Sequence, residues 1–424
     1  MYHAANPFQA QPDGTSPNAF VAREATYTWI HQKLADSQTP HAVTLSGVEH
    51  VGKTTLLWHF NAVLKADLLG VYVHLPQVAT ERDIITLLAQ QVSTSAALPQ
   101  LANGASDADD PRTTFADDIL PLALGQLGQR QRMILLLDDG HHLLGLGDAS
   151  VFAYLSDLIV QHPRLGIVMT MDSRHESAAL AAMRPLVAET HLHRLRPFTP
   201  PETRSLLSQG LDAFRISADG LHAVQALTGG QPLLTQQFGA LAYNRASQSD
   251  AAPDIISGTE VAVMLPDWLE QVDDIMTGMW HRLNNTQQIV LMAVCQVSHP
   301  NVITPEQIEA WLVETETSLD LTAIRAALRG LAYESLIRYE GGEVRLVMGI
   351  WRAWLAQHHT VPNALVNDAG GTTLALWQVA IGTLIVIAIG VTLIVWAARP
   401  DERPPATNPA GQPTVTFEPL SPNS

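Results

Sequence analysis

One stretch constrains this chain more than any other. Residues 47–55 read GVEHVGKTT, with Gly47, Gly52, Lys53 and Thr54 at the fixed positions of G-x-x-x-x-G-K-[ST]. The context that gives such a match meaning is present. HAVTLSG (41–47) reads as a strand before it, and KTTLLWHFNAVLKA (53–66) as a helix after it. Glycines let the main chain curl so that the N–H groups of Val48, Glu49, His50, Val51 and Thr55 can face phosphate oxygens. The following helix adds its positive end. Lys53 would neutralise β/γ-phosphate charge, and the Thr54 hydroxyl would ligate Mg²⁺. The only lysines are Lys33, Lys53 and Lys65, so one inside the motif is a specific choice.

A phosphate loop of this kind needs an acid at the end of a neighbouring strand. MILLLDD (133–139) supplies two. Asp138 is the candidate Mg²⁺ ligand, directly or through water. Asp139 is the candidate group that polarises the attacking water. An aspartate is shorter than the glutamate common there, so slow hydrolysis is expected. The strand GIVMTMDSR ends in Thr170, Asp172, Ser173 and Arg174. Thr170 is the choice for a sensor of the γ-phosphate or the water. Arg174 is a second, charge-stabilising option. Solvation of a strand end is the competing reading for both.

The rest of the first half alternates. GVYVHL (70–75), RMILLLD (132–138), LGIVMTM (165–171) and ETHLHRL (189–195) read as strands, with helices at 81–92, 113–129 and 149–161 and a loop at 93–111. That order implies a parallel sheet covered on both faces, the three-layer α/β P-loop type. After Pro197 the pattern turns helical, at 200–209, 217–227 and 232–246. Residues 247–262 read as a linker. A second helical region, 266–360, includes a helix at 276–296 and ends in a strand pair joined at Gly341-Gly342.

Charge and cysteine exclude several classes. The net charge of −17 argues against broad attraction to nucleic acid or to anionic lipid. Cys295 is the single cysteine, so no intrachain disulfide and no cysteine-built metal site can form. The N-terminus has no apolar stretch of the signal-peptide type, so the first domain is expected to stay in the cytosol.

The order of motifs resembles the AAA+-related STAND signalling ATPases and their origin-recognition-like relatives. The residues carrying the resemblance are NPF (6–8), FVAREA (20–25), GVEHVGKTT, LLLDDGHHL (135–143), IVMTMDSR and LTGGQPLL (227–234). The resemblance implies an ASCE/AAA+-like ATPase domain over 1–197 and a helical lid over 198–250. It places Arg23 and Glu24 near the adenine, although Ala22 stands where the family often has glycine. It also puts Pro232, in Gly230-Gln231-Pro232, close to the nucleotide at the start of a lid helix. A winged-helix-like domain is expected over 265–360. That segment has six arginines against twelve acids, a net of −6. A clamp or protein-binding module is therefore expected rather than a DNA reader.

LALWQVAIGTLIVIAIGVTLIVWAA (374–398) has no charged residue and is long enough to span a bilayer. Trp377 and Trp396 lie 19 residues apart, or about 28 Å along a helix, near the two interfaces. The Pro-, Thr- and Ser-rich tail 399–424 reads as disordered. Arg399 and Arg403 pull the tail toward the cytosol, but the need for ATP puts the ATPase domain there instead. The sequence expectation is a single-pass protein of the cell membrane with a cytoplasmic ATPase domain. It would bind ATP and Mg²⁺ and act as a STAND-like signalling switch through self-association or a protein partner. The alternatives are a DNA-associated ATPase of the origin-recognition or transposition type at the membrane, and an ATPase for envelope assembly or secretion.

Overall fold

The computed structural model describes residues 6–9 and 23–358, apart from short internal segments at 36–41, 64–67, 78, 129–130, 147–149, 185, 187–190, 211–212, 249–254, 298–301, 316 and 318. Its first half is built on α1 (Glu24–Ala35), β1 (Ala42–Gly47), α2 (Lys53–Ala62), β2 (Leu68–His74), α3 (Glu81–Ser95), α4 (Leu120–Gln126), β3 (Arg132–Asp138), α5 (Ser150–Gln161), β4 (Leu165–Asp172), α6 (Glu176–Ala182) and β5 (Leu192–Arg194). The five strands form one sheet in the order β2-β3-β4-β1-β5, and every pairing is parallel. β4 thus lies between the strand that leads into GVEHVGKTT and the strand that ends in Asp138.

Alternation along β3 shows why the sheet has three layers. Ile134 and Leu136 face α1 and α2, beside Ile30, Leu34, Leu56 and Phe60. Met133, Leu135 and Leu137 face the other side, with Leu88 of α3 and Phe152 and Leu155 of α5. A strand buried on both faces is apolar throughout, and MILLL is.

Register then sets the site. Gly47 is the partner of Asp172, Leu45 of Thr170, Leu137 of Met169, and His74 of Asp138. The carboxyl ends of β1, β4, β3 and β2 therefore finish in one row. In open α/β sheets this edge is where ligands bind.

The second half contains α7 (Pro200–Leu207), β6 (Arg215–Ile216), α8 (Ala218–Thr228), α9 (Pro232–Gln248), β7 (Ile255–Ile256), α10 (Gly258–His281), α11 (Asn285–Val297), α12 (Pro305–Glu314), α13 (Leu321–Tyr333), β8 (Ile337–Glu340), β9 (Glu343–Leu346) and α14 (Ile350–His358). β8 and β9 form a hairpin turned by Gly341 and Gly342, and Ile303 bridges to Val344 beside it. Side chains from residues 198–355, together with Phe8, make one continuous apolar core. Gly230 adopts a φ of +78°, and a Cβ there would stand 2.0 Å from the Phe198 carbonyl oxygen. Only glycine lets the chain leaving the sheet pass so close to the start of α9.

Four sequence expectations change. The loop at 93–111 carries the end of α3 and short helical turns at Pro99–Leu101 and Gly104–Asp107. The helix at 113–129 is a π turn, Thr114–Ile119, followed by the short α4. The linker at 247–262 contains β7, which pairs with β6, and the first turn of α10. There Ser257 caps the helix through the Glu260 N–H, so Pro266 lies inside the helix and not at its start. The single helix at 276–296 is two. Asn284 and Gln287 exchange backbone-to-side-chain hydrogen bonds, Asn284 N to Gln287 Oε1 and Gln287 N to Asn284 Oδ1, both 3.0 Å. This capping box restarts the helix as α11. The proposed membrane span 374–398 and tail 399–424 lie outside the described residues. Among the described residues no helix is long and apolar enough to cross a membrane.

Trp268 of α10 is fully buried against Phe238 of α9, ring centroids 5.0 Å apart. Replacing it with alanine should cost about 3–5 kcal/mol. Denaturant unfolding of the full chain measures this, and α7–α14 should lose structure together because they share one core. A loss below about 1 kcal/mol would contradict the packing described.

Candidate functional site

The row of strand ends opens onto a cleft of about 980 Å³ between the sheet and the helices that follow it. Residues 47–55 wrap its floor. His50 and Gly52 take left-handed backbone angles, φ +61° and +92°. Val48 and Val51 put their side chains into the core beside Phe60 and Leu195, so they can offer a ligand only main-chain groups. Gly47 sits at the end of β1, beneath the loop. Glu49, His50, Gly52, Lys53, Thr54 and Thr55 line the cleft itself.

Lys53 is the first residue of α2 and is 8% exposed. Its Nζ donates to the carbonyl oxygens of Gly47 (2.9 Å) and Val48 (3.0 Å). Burial lowers its pKa, while Asp172, Asp139 and Asp138 oppose that shift. The ammonium thus rests on two loop carbonyls, with three carboxylates near enough to favour its charge.

Asp138 is 1% exposed, and each of its carboxylate oxygens accepts one hydrogen bond. Oδ2 accepts from the Tyr72 hydroxyl at 2.9 Å, and Oδ1 accepts from Thr170 Oγ1 at 2.5 Å. Asp139 follows with φ +58°, a conformation that aspartate and asparagine tolerate better than most residues. That turn lifts its carboxylate into the cleft, where His74 Nδ1 lies 3.8 Å from one oxygen and His141 Nδ1 4.0 Å from the other. Burial, then the neighbouring Asp138, raise the Asp139 pKa. Burial, with help from His142 and His175, pushes His141 down to about 4, so it is neutral at pH 7.

Thr170 does not face the cleft as expected. It is fully buried, and its hydroxyl is used twice, donating to Asp138 and accepting the Asp139 N–H at 2.9 Å. From inside the core it orients both acids. Asp172 holds Arg174 in a two-point contact, at 3.0 Å to Nε and 2.9 Å to Nη2. Burial works against the Asp172 charge, but the side-chain and backbone hydrogen bonds from Arg174 outweigh it and keep the pKa low. Arg174 lines the cleft.

The adenine-side expectations divide. Pro232 does line the cleft, with Leu233 and Gln236 of α9. Arg23 and Glu24 are not among the lining residues. The Arg23 guanidinium donates to the carbonyls of Val51 (3.1 Å) and Arg196 (2.8 Å) and lies over the Phe198 ring, so it braces the loop from behind. Glu24 is exposed in the first turn of α1, where an acid favours the helix dipole. Three residues that sequence reasoning did not select also belong to the site. Tyr72 holds Asp138, His141 flanks Asp139, and Arg282 reaches the cleft wall from the α10–α11 turn. Only His141 carried a local signal, through its place directly behind the two acids.

No protein-family model matches the chain, and no curated protein does. Among solved structures it is similar to a Walker-type ATPase of Pyrococcus abyssi, at 16% identity, over 82% of this chain and 99% of that one, with a TM-score of 0.56. It also matches the Orc1 protein of Aeropyrum pernix in complex with DNA (14% identity, 83% and 96% covered, TM-score 0.42) and Cdc6p of Pyrobaculum aerophilum (16%, 83% and 96%, 0.43). The first likeness, together with the strand order, identifies the fold as that of a P-loop ATPase.

Thr170→Val keeps the shape but removes both hydrogen bonds. It leaves a carboxylate and an N–H short of a partner, at an expected cost of about 1–3 kcal/mol. Denaturant unfolding reads the loss, and an unchanged midpoint would refute the positioning role.

Proposed function

We propose that this chain is an AAA+-type ATPase of the origin-recognition-like kind, binding ATP in the cleft and converting its hydrolysis into movement of the C-terminal half. The observation that carries this reading is the single row of Gly47, Asp172, Asp138 and Asp139, with buried Lys53 among them.

The phosphates lie over the loop, met by its N–H groups and the first turn of α2. Lys53 leaves the Gly47 and Val48 carbonyls for phosphate oxygens. Thr54 and Asp138 would hold Mg²⁺. A hydroxyl and a carboxylate are hard oxygen donors and suit that ion, with water completing the set. When bound, Mg²⁺ supplies charge neutralisation at the phosphates. Asp139 accepts a proton from the attacking water as the water oxygen bonds to the γ-phosphorus. The bond from that phosphorus to the β-phosphate bridging oxygen breaks, and ADP and phosphate leave. His141 stays neutral beside Asp139 because burial holds its pKa down.

The helical half transmits the change, because α9 lines the cleft and shares its core with α10–α14. Residues 374–398 would tether this ATPase to the cell membrane with its catalytic part in the cytosol. Self-association or a protein partner would receive the movement. A signalling role of the STAND type rests on sequence resemblance alone. DNA as the partner is the second reading. It has against it that Arg325 of α13 pairs with Glu306 (2.9 Å) and Arg345 of the hairpin with Glu343 (3.2 Å), which neutralises cations a phosphate backbone would need. Salt-dependent DNA binding by the full chain would favour that reading.

Lys53→Ala should weaken ATP binding at least tenfold and remove turnover, by roughly the loss of a charged hydrogen-bond partner or more. Asp139→Asn tolerates the same backbone angle. It should leave ATP affinity intact and slow hydrolysis by about 10²–10⁴-fold. Asp139 must be ionised to act, and its pKa is raised. Wild-type turnover should therefore be complete above that pKa and fall as pH drops through it, at a higher pH than an ordinary aspartate would give. The Asn variant should lack this limb. Equal pH profiles for the two would remove Asp139 from the mechanism.

A further inference from the structure

Arg282 lies in the short turn between α10 and α11, and its guanidinium pairs with the Glu49 carboxylate at the cleft wall. Both residues line the same cleft as Lys53 and Thr54. Glu49 is oddly placed for a phosphate site. It belongs to the loop whose N–H groups should attract anions, and an unpaired carboxylate there would repel a polyphosphate. Arg282 cancels that charge. Its side chain is 26% exposed, so the pair is at the boundary of the cleft and is neither deeply buried nor free in water.

Two further contacts tie the same half of the protein to the same wall. The Tyr333 hydroxyl at the end of α13 donates to the Ser173 carbonyl, and Glu334 lies 3.6 Å from Arg174. Arg174 in turn holds Asp172. Acids and bases therefore alternate across the junction, with Glu49 facing Arg282 and with Glu334, Arg174 and Asp172 in sequence. In the lid helix α9, whose first turns face the cleft, Pro232, Leu233 and Gln236 carry no charge. Arg282 and Arg174 are thus the cations of the cleft outside the loop.

We propose that Arg282 is a nucleotide-discriminating residue, lent to the phosphate end of the cleft by the C-terminal half, which exchanges Glu49 for the terminal phosphate of ATP. This rests on the ATP-binding reading above. A guanidinium suits the exchange, since it can meet two phosphate oxygens at once and is weakly hydrated. ADP lacks the γ-phosphate, so with ADP Arg282 stays on Glu49. With ATP it moves, and the α10–α11 turn moves with it. The identity of the nucleotide is thereby reported to α11–α14 through one side chain.

The test is calorimetric binding of ADP and of a non-hydrolysable ATP analogue to the full chain. Variants are Arg282→Ala, Arg282→Lys and Tyr333→Phe, each checked by thermal melting. Arg282→Ala should weaken the ATP analogue about tenfold or more while changing ADP less than about threefold. Arg282→Lys keeps the charge without the fork and should fall between. It carries the test if the alanine variant does not fold. Tyr333→Phe loosens the docking without touching phosphate and should preserve the wild-type ratio of the two affinities. Equal losses for both nucleotides in Arg282→Ala, or no loss, would overturn the proposal. So would a Tyr333→Phe variant that shifts the ratio as far as Arg282→Ala, since docking alone would then explain it. Wild-type protein that binds neither nucleotide would instead sink the reading of the cleft itself.

Discussion

The site depends on one buried ammonium, held on two loop carbonyls and kept charged by three nearby acids. Lys53 is desolvated, and desolvation alone would drive it toward neutrality. Asp172, Asp139 and Asp138 oppose this, and the sheet fixes where they stand. β4 ends in Asp172, level with Gly47, while β3 ends in Asp138, one position past the Leu137–Met169 pair, with Asp139 following it. A slip of one residue in β4 would turn Thr170 out of the core and break both hydrogen bonds that orient the acids. The local charge balance and the global topology are therefore the same constraint.

The second half is organised around a different economy of contacts. Its apolar core is continuous from α7 to α14, while its attachment to the cleft is polar. Arg282, Tyr333 and Glu334 meet Glu49, Ser173 and Arg174 across that boundary. A dry core within each half and charged contacts between them permit a rearrangement that costs little packing.

Much of the site was readable from the sequence because its parts are local. Gly47–Thr55 announce themselves by spacing, and Asp138-Asp139 by following an apolar run that could only be a central strand. Pro232 was legible through the two glycines before it. What was not legible depends on register or on a break in a helix. Thr170 looked like a strand-end sensor because sequence does not show which way a hydroxyl at that position turns. Leu45 beside it and the Asp138–Asp139 turn decide that it faces inward. Tyr72 sits on another strand, with no motif around it. Arg282 was hidden inside a supposed continuous helix, although Asn284 and Gln287 carry the capping signal that ends it. Arg23 kept its place in the pattern but acts on the back of the loop, a distinction of a few ångströms that no spacing rule records.

Each of these roles requires a nucleoside triphosphate in the cleft over residues 47–55. Cross-linking the full-length chain with a photoreactive ATP analogue, in the presence of Mg²⁺, and sequencing the labelled peptides tests it most directly. Saturable labelling, displaced by excess ATP, is expected on peptides that line the cleft, such as the start of α9. Labelling confined to peptides remote from the cleft, or none that ATP displaces, would contradict it.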